Sequence, residues 1–387
     1  MADITRLRIG LVCMGIFGFY VLFVFSFIDG YFQKLFDFVS RRRFTDEITT
    51  FEDGFTGMES IDLFLGFVVC FFWPIVDGNS PWLSLSNIPF AGQTAALLLI
   101  AMIEDLRKGN KGKLVPSCLL FGAAIQGMGV GIASPIYHYL FLTYSGVTDY
   151  PNGASIEIED RIALEAIPFG VFCGYILVVA AMALPGPSVV TMEQKKYAVL
   201  AYIFYPACTH LMHQVFRTLF RIWNVEGNRS QDIKSQLHTT RRVYASALII
   251  ATFSHIYTIS ISLSAYILPD FVTSELATEL SPWHLFLPKN PLDVGFRVKD
   301  IFEGVHIFMQ WDYLLGSAAS VVTAAAVRDC SSIDLNSTLS VLRWLHMGEL
   351  PDIILRSLCL GPIGAAVTYM WERDEYVLRN LSKAKSS

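Results

Sequence analysis

The sequence predicts an all-α integral membrane protein, a polytopic transmembrane bundle of about nine helices. Of its 387 residues, 53% are hydrophobic and only 16% are charged, whereas soluble domains carry about 25% charged residues. Several apolar runs approach or exceed the roughly 20 residues that a helix needs to cross a bilayer. Only helices and closed barrels satisfy every backbone group in lipid, and runs of this length exclude barrel strands.

The predicted spans follow the apolar runs in chain order. They are residues 9–28, 61–77, 86–103, 114–141, 163–184, 197–220, 243–268, 305–327 and 352–371. The sequence shows no internal repeat, so we interpret residues 1–387 as one membrane domain. Within it, residues 269–304 are rich in proline and include an amphipathic piece. This pattern indicates an extramembrane or interfacial connector, either a lid over the bundle mouth or a plain ordered link.

Lys and Arg in the short loops indicate the orientation of the bundle. The loops after the first, third and fifth spans are basic, and the loop after the fourth is acidic. This distribution predicts a luminal N-terminus and a cytosolic C-terminus. Basic residues between positions 229 and 242 break the rule, because they fall on the luminal side. Either the span count changes there, or these side chains face a polar cavity.

Charge and motifs argue against several classes of protein. The net charge of -5 gives no sign of nucleic-acid binding. The seven cysteines include no CxxC pair, so neither a disulfide framework nor a zinc site is indicated. The sequence has no HExxH, GxSxG or P-loop, and it lacks the aspartate clusters that hold Mg²⁺ for ionisation of a diphosphate. For an enzyme, we therefore expect metal-free acid–base chemistry without a cofactor.

Asp312 is the most informative polar residue of the chain. It lies between apolar turns, and an Asp at membrane depth costs about 2.5–3.5 kcal/mol. His306, Gln310 and Tyr313 follow one helical face at steps of three and four, with Asp312 at the edge of that face. We interpret Asp312 as functional. A structural Asp, paired with an Arg or His of a neighbouring helix, is the alternative.

Other polar and aromatic side chains inside or at the ends of the apolar runs are further candidates. They are Glu104, Asp105, Tyr137, His138, His210, His213, Arg217, His255, Tyr369 and Trp371. Each has a structural alternative. His138 is equally well explained as a satisfied core histidine, and Arg217 as an arginine that snorkels to the interface. For the acidic pair at 104–105, and for the acidic residues between 372 and 375, solvated helix ends are the favoured interpretation.

A buried carboxyl suggests one specific chemistry. A carboxylic acid in an apolar site stays protonated near neutral pH and can protonate an epoxide or an alkene. The resulting carbocation requires a water-poor cavity with aromatic faces. The 29 Phe residues can supply such walls, although aromatic residues also pack ordinary membrane helices. Polar groups inside a bundle equally fit an ion or proton path.

Two runs carry a resemblance to a known family. They are Phe308-Met-Gln-Trp-Asp-Tyr-Leu-Leu-Gly316 and Gly361-Pro-Ile-Gly-Ala-Ala-Val-Thr-Tyr-Met-Trp371-Glu-Arg-Asp-Glu375. Both resemble segments of the fungal membrane-bound terpene cyclases of meroterpenoid and indole-diterpene biosynthesis, of the ascofuranone type. The resemblance implies cyclisation of an epoxidised prenyl chain on an aromatic head group. It also implies initiation by protonation without metal, and an endoplasmic-reticulum membrane.

On this hypothesis the candidate residues take distinct roles. Asp312 is the proton donor, with Glu104 or Asp105 as substitutes if Asp312 is structural. His306, Gln310 and Tyr313 orient the acid, and His138, His210 or His213 accept a proton. The residues expected to bind substrate are Arg217, Trp311, Tyr137, His255, Tyr369 and Trp371.

The expected partners are a lipophilic small-molecule substrate, membrane lipid and other membrane enzymes of the pathway, with no nucleic acid. Another isomerase or hydrolase for a lipid epoxide is the second enzyme hypothesis. The alternative class is a non-catalytic membrane scaffold or a small-molecule transporter of the pathway. Transporter folds usually show repeated halves, and no such halves are visible in this sequence.

Overall fold

Helices build every regular element of the described chain. The computed structural model describes residues 2–44, 50–51, 54–148, 153–223, 233–268, 270, 272–293, 295–330 and 350–384. Within these ranges the chain forms no β-strand, so the predicted all-α class is confirmed there.

The first helix, α1 (Ala2–Phe19), continues through a π-helical stretch, Tyr20–Phe25, into α2 (Ser26–Ile28). The next elements in chain order are α3 (Tyr31–Ser40), α4 (Glu59–Val76), α5 (Pro81–Asp105), α6 (Cys118–Met128), α7 (Val130–Tyr144), α8 (Gly153–Ile156) and α9 (Arg161–Val171). A second π-helical stretch, Phe172–Ile176, joins α9 to α10 (Leu177–Met182). The remaining helices are α11 (Met192–Ile203), α12 (Tyr205–Trp223), α13 (Ile233–Ile267), α14 (Ser274–Glu279), α15 (Pro282–Phe286), α16 (Ile301–Cys330), α17 (Leu350–Leu360) and α18 (Pro362–Ala384).

Among the residues that the structure describes, five helical segments are long and apolar enough to cross a membrane. They are Ile4–Ile28, Glu59–Val76, Pro81–Asp105, Arg161–Met182 and Ile233–Ile267. A sixth is obtained if α17 and α18 count as one span, although they bend by 117° at their junction. These segments are compatible with an integral membrane protein. The predicted count of nine is not confirmed.

Three predicted spans are interrupted in the structure. Gly129 (φ +83°) separates α6 from α7, and Gly361 (φ +78°) separates α17 from α18. Positive φ is the conformation that glycine adopts without a steric penalty. The third break falls at Phe204, between α11 and α12. At the Gly361 break, the Gln93 side chain replaces the lost helical bonds, because its Oε1 accepts the N–H of Ile363 at 2.7 Å.

The connector at 269–304 lies against the bundle. The Gln310 amide of α16 donates to the His284 carbonyl at 2.8 Å, and the Trp311 indole donates to the Lys289 carbonyl at 3.1 Å. Tyr20, which follows α1, donates to the Pro291 carbonyl at 3.1 Å. The connector is therefore an ordered segment with two short helices, fixed by side chains of the predicted spans.

A buried ionic network joins α5, α13 and α18. Glu104 Oε1 accepts from Arg107 at 3.1 Å and from Arg373 at 2.6 Å. Asp374 bonds both arginines and accepts from the Tyr244 hydroxyl at 2.9 Å. Glu104 is 2% exposed and Asp374 is fully buried. The prediction of solvated helix ends was wrong for these two acids, because Arg107 and Arg373 neutralise them within the fold.

The acids flanking this network behave differently. Asp105 is accessible to solvent, and its carboxyl accepts the N–H of Cys118 at the start of α6 at 2.6 Å. Glu375 is half-buried and accepts from Arg241 Nε at 2.8 Å. Arg241 belongs to the basic stretch at residues 229–242, which departs from the distribution of Lys and Arg expected for a luminal loop. The described part of that stretch lies inside α13 rather than in a loop. A second network near the bend joins Asp352, Arg328 and Arg356.

Removing one arginine from the buried network is expected to destabilise the fold strongly. Arg373→Met leaves two buried acids facing one arginine, and an uncompensated buried charge costs about 3–5 kcal/mol. The double variant Arg373→Met with Glu104→Gln restores the charge balance and is expected to regain part of that loss. The measurement is the apparent melting temperature of the detergent-purified protein.

Arg379→Met is the matched control, because Arg379 is 61% exposed and its ion pair with Glu375 is solvated. Its expected effect is within about 1 kcal/mol. Equal losses for Arg373→Met and Arg379→Met would contradict a structural role for the buried network.

Candidate active site

Asp312 lies near the middle of α16 and is only 3% exposed. Its Oδ1 accepts the backbone N–H of Gly131 at 2.6 Å. Gly131 is in the first turn of α7, where N–H groups have no partner within their own helix. The carboxyl therefore caps the start of a helix that exists because the chain breaks at Gly129. A Cβ at position 129 would stand 2.4 Å from Oδ1, so the site requires glycine there.

The partners of Asp312 bear on the alternative that it is a structural residue paired with an Arg or His of a neighbouring helix. Within the described chain, the N–H groups of Val130 and Gly131 bond its carboxyl, and the Tyr202 and Tyr205 hydroxyls lie within electrostatic range of it. Arg and His side chains, the partners expected of a structural ion pair, take no part in this contact. The carboxyl is thus held by fixed backbone dipoles, which contribute no titratable charge of their own.

The Asp312 carboxyl faces a cavity of ≈ 110 Å³ between α4, α6, α16 and the π-helical stretch that follows α1. Aromatic rings form most of its wall: Phe23, Phe32, Phe67, Phe71, Phe72, Phe90, Tyr202 and Phe308. The Phe71 and Phe308 rings meet edge to face with centroids 5.0 Å apart. Among the described lining residues Asp312 is the one carboxylic acid. We call this space the aromatic cavity.

The polar face predicted for α16 points elsewhere. His306 Nε2 and Gln310 Nε2 both donate to the carbonyl of His284, at 3.0 and 2.8 Å. Trp311 donates to the connector as well, and its ring meets Phe17 edge to face. None of these three residues lines the aromatic cavity. The structure thus separates them from Asp312 and places them at the connector.

Tyr313 and His138 lie near the cavity without lining it. The Tyr313 ring packs against Phe90, with centroids 6.2 Å apart. His138 contacts the Ser320 hydroxyl at 3.0 Å, and that hydroxyl donates to the Gly316 carbonyl. His138 Nε2 is therefore the donor of the pair. His138 and Tyr137 line a separate small cavity beside α16.

Asp105, His210 and His213 come together in another place. They line a cavity of ≈ 140 Å³ between the end of α5, the start of α6 and α12. His213 Nε2 donates to the Ala163 carbonyl at 2.8 Å, and the Asp105 carboxyl accepts the Cys118 N–H at 2.6 Å. We call this space the polar cavity. Glu104, adjacent in sequence, belongs to the buried ionic network instead.

The remaining predicted substrate-binding residues make contacts within the fold. Arg217 Nε donates to Asp160 at 2.9 Å. His255 Nε2 donates to the Leu358 carbonyl at 3.0 Å. The Tyr369 hydroxyl donates to Asp352 at 2.8 Å. The Trp371 ring stacks on the Tyr244 ring, with the ring centroids 6.1 Å apart. None of the four residues lines the aromatic cavity.

Sequence reasoning missed the residues that give the site its character. The aromatic wall comes from six separate segments, and the local signal in the sequence is the spacing of Phe67 and Phe71 at i and i+4. Among the described residues, no group of three or more His, Cys, Asp or Glu lies close enough to hold a metal ion.

Comparison with known proteins shows the family of this chain. The CtvD domain family matches residues 7–378. Terpene cyclase ascI of Acremonium egyptiacum is 33% identical over 363 residues, which cover 92% of this chain and 88% of that protein. Terpene cyclase verU1 of Penicillium polonicum is 26% identical over 96% of this chain and 95% of its own length.

A third relative, terpene cyclase ctvD of Aspergillus terreus, is 24% identical over 95% of this chain and 98% of its own length. No solved structure matches the chain. The family match covers nearly all of the chain, and these relatives are named terpene cyclases of several fungi. The chain therefore belongs to the CtvD domain family of fungal terpene cyclases.

Proposed function

We propose that this enzyme cyclises an epoxidised, farnesyl-type prenyl chain on an aromatic head group, and that Asp312 starts the reaction by protonation without a metal. One observation carries the proposal: a buried carboxyl lies in the wall of a cavity otherwise built largely from aromatic rings. An acid in a dry aromatic cavity has both parts that such a reaction needs, a proton source and walls that stabilise a cation.

The first step uses the two oxygens of Asp312 differently. Oδ1 is fixed by the Gly131 N–H, so Oδ2 is the oxygen left to carry the proton. Transfer of that proton to the epoxide oxygen breaks one C–O bond and leaves a hydroxyl and a tertiary carbocation. The new carboxylate is stabilised by the N–H groups at the start of α7, where the helix dipole is positive.

The later steps belong to the aromatic wall. A neighbouring alkene or oxygen attacks the cation, and the charge moves along the folded chain. The ring faces stabilise it through their quadrupoles, by about 0.5–2 kcal/mol for each well-placed ring. The loss of a proton ends the sequence. The proton count balances, so the product is an isomer of the substrate and no oxidant or reductant is consumed.

Asp312→Asn tests the proton donor. Asn caps a helix as well as Asp does, so this variant keeps the oxygen that accepts from Gly131 but lacks the acidic proton. We expect turnover of an epoxyfarnesyl phenol to fall by at least about 100-fold, the lower range for loss of a general acid. Because substrate and product are isomers, product formation is measured by liquid chromatography coupled to mass spectrometry, in microsomes that contain equal amounts of enzyme.

Asp37→Asn is the control, because Asp37 is 49% exposed and pairs with Arg41 at the surface. It is expected to retain the turnover of the unmodified enzyme. An Asp312→Asn variant that still cyclises the substrate at a comparable rate would show that the acid lies elsewhere.

Phe308→Leu tests the cation-stabilising wall. Leucine keeps much of the apolar volume and removes the ring, so the later cation loses one stabilising face. We expect cyclisation to slow by about 2- to 30-fold, the equivalent of 0.5–2 kcal/mol. We also expect a larger share of early products, such as the diol formed by water capture. Phe253→Leu is the control, because Phe253 is 71% exposed; an unchanged product mixture from Phe308→Leu would contradict the proposed role.

We further propose that the enzyme lies in the endoplasmic-reticulum membrane with its N-terminus luminal and its C-terminus cytosolic, beside other membrane enzymes of its pathway. The basic loops after the predicted first, third and fifth spans support this orientation. A tag fused after Ser387 is expected to be digested by protease in sealed microsomes. A tag that is cleaved only after detergent dissolves the membrane would place the C-terminus in the lumen and contradict the proposed orientation.

A further inference from the structure

The polar cavity is not used by the mechanism above. Its apolar lining includes Leu98, Met102, Leu119 and Pro206, and its polar lining is Asp105, Thr209, His210, His213 and Gln214. Asp105 and His210 are exposed to the outside of the fold, so the cavity opens at the surface. It lies near the loop that joins α5 to α6.

Thr209 is an independent sign that this cavity receives a ligand. The residue is 3% exposed, and its hydroxyl has no hydrogen-bond partner in the described chain. A buried hydroxyl without a partner costs free energy, and such groups in native proteins call for an explanation. A ligand in the cavity that Thr209 lines would supply the missing partner.

The neighbouring groups define what that ligand must offer. His213 donates Nε2–H to the Ala163 carbonyl, so Nδ1 of the neutral ring is an acceptor. The Asp105 Oδ2 accepts from Cys118, which leaves Oδ1 as a second acceptor. Gln214 Oε1 already accepts from Arg217. The cavity therefore presents the acceptors of Asp105 and His213 and the Thr209 hydroxyl, together with the Gln214 amide N–H groups and the His210 ring, between apolar walls.

We propose that the polar cavity is the head-group subsite of the cyclase and binds a hydroxylated aromatic ring through its phenolic O–H groups. This inference rests on the proposed function, because it assigns the second end of the same substrate. Phenolic hydroxyls donate to the acceptors of Asp105 and His213, and the ring fits between the apolar side chains. A diphosphate would meet the Asp105 carboxyl and the His213 lone pair, so these groups select a donor rather than an anion.

The short helix α6 relates this subsite to the acid. Cys118 and Leu119 at its start line the polar cavity, and the residues from Ile125 to Met128 at its end line the aromatic cavity. At a rise of 1.5 Å per residue, the two ends are about 10–15 Å apart. This separation is comparable to the length of an extended farnesyl chain. A substrate held by its ring at one end of α6 would bring its distal end to Asp312.

The contact between α6 and α12 lies between the two cavities. A Cβ at Gly122 would stand 3.0 Å from the Pro206 side chain, so the helices approach closely there. The prenyl chain would pass beside this contact. Both helices adjoin breaks in the bundle, because α6 ends at Gly129 and α12 begins after Phe204.

Direct binding tests the subsite without catalysis. The probe is 4-hexylresorcinol, with its dimethyl ether as the comparison, because the ether keeps the ring and tail but has no O–H donor. Binding is measured by the thermal shift of the full-length protein in nanodiscs. We expect the resorcinol to stabilise the unmodified protein and the ether to do so at least about tenfold more weakly.

Thr209→Val separates a binding role from a structural one. The substitution removes a hydroxyl that has no partner in the fold, so the free protein is expected to be as stable as before or more so. Affinity for the resorcinol is expected to fall by about 2- to 10-fold, the loss of one hydrogen bond. Asp105→Asn, which exchanges an acceptor for a donor, is expected to weaken binding by tenfold or more.

Thr240→Val is the matched control, because the Thr240 hydroxyl is also buried without a partner but lines neither cavity. It is expected to leave resorcinol affinity unchanged. The subsite would be overturned if the dimethyl ether bound as tightly as the resorcinol. It would also be overturned if Thr209→Val and Asp105→Asn both kept the resorcinol affinity of the unmodified protein.

Binding and turnover of the Asp312→Asn variant distinguish a failure of this inference from a failure of the proposed mechanism. Asp312→Asn is expected to bind the resorcinol as the unmodified protein does, because its carboxyl lies at the other end of α6. If Asp312→Asn cyclises normally while binding still depends on Thr209, the mechanism fails and the subsite stands. If Asp312→Asn loses turnover while the affinity for the resorcinol is the same in Thr209→Val as in the unmodified protein, the mechanism stands and the subsite is overturned.

Discussion

The hydrogen bond from the Gly131 N–H to Asp312 is the interaction on which the site depends. In an uninterrupted helix, the N–H groups of residues 130 and 131 would bond the carbonyls of residues 126 and 127. The break at Gly129 releases them, so they can hold a carboxyl from α16. The same break turns the end of α6 toward the aromatic cavity. One glycine conformation thus orients the acid, prepares a place for its negative charge and shapes the cavity.

The buried ionic network gives this site a rigid frame. It joins α5, α13 and α18 through two acids and two arginines, whose charges cancel. Breaking one partner would leave a buried charge uncompensated, which is more costly than the intact network. The network keeps its charges away from the aromatic cavity, where a fixed cation would oppose the formation of a carbocation. The charges of this network and the carboxyl of Asp312 are therefore placed in separate parts of the bundle.

The sequence was sufficient to predict the all-α class and the burial of Asp312, and insufficient to predict the contacts between helices. Apolar runs located most helices, and the apolar flanks of Asp312 distinguished it from acids at helix ends. The breaks at Gly129 and Gly361 escaped prediction because hydrophobic runs continue across them. Arg373 and Glu104 are 269 positions apart, so their pairing is a property of the fold alone. The face that carries His306 and Gln310 was predicted correctly as a polar stripe, but its partner is the connector.

The proposed mechanism also needs a proton acceptor, and the placement of the histidines bears on this point. His138, His210 and His213 were the expected acceptors, and each lies in another cavity or contact. After proton transfer, the Asp312 carboxylate and the carbocation share one apolar space. Opposite charges attract most strongly where the dielectric is low. The carboxylate is then the nearest base to the migrating cation. A single residue can therefore donate the first proton and recover the last one, which returns the enzyme to its starting state without a second titratable group in the aromatic cavity.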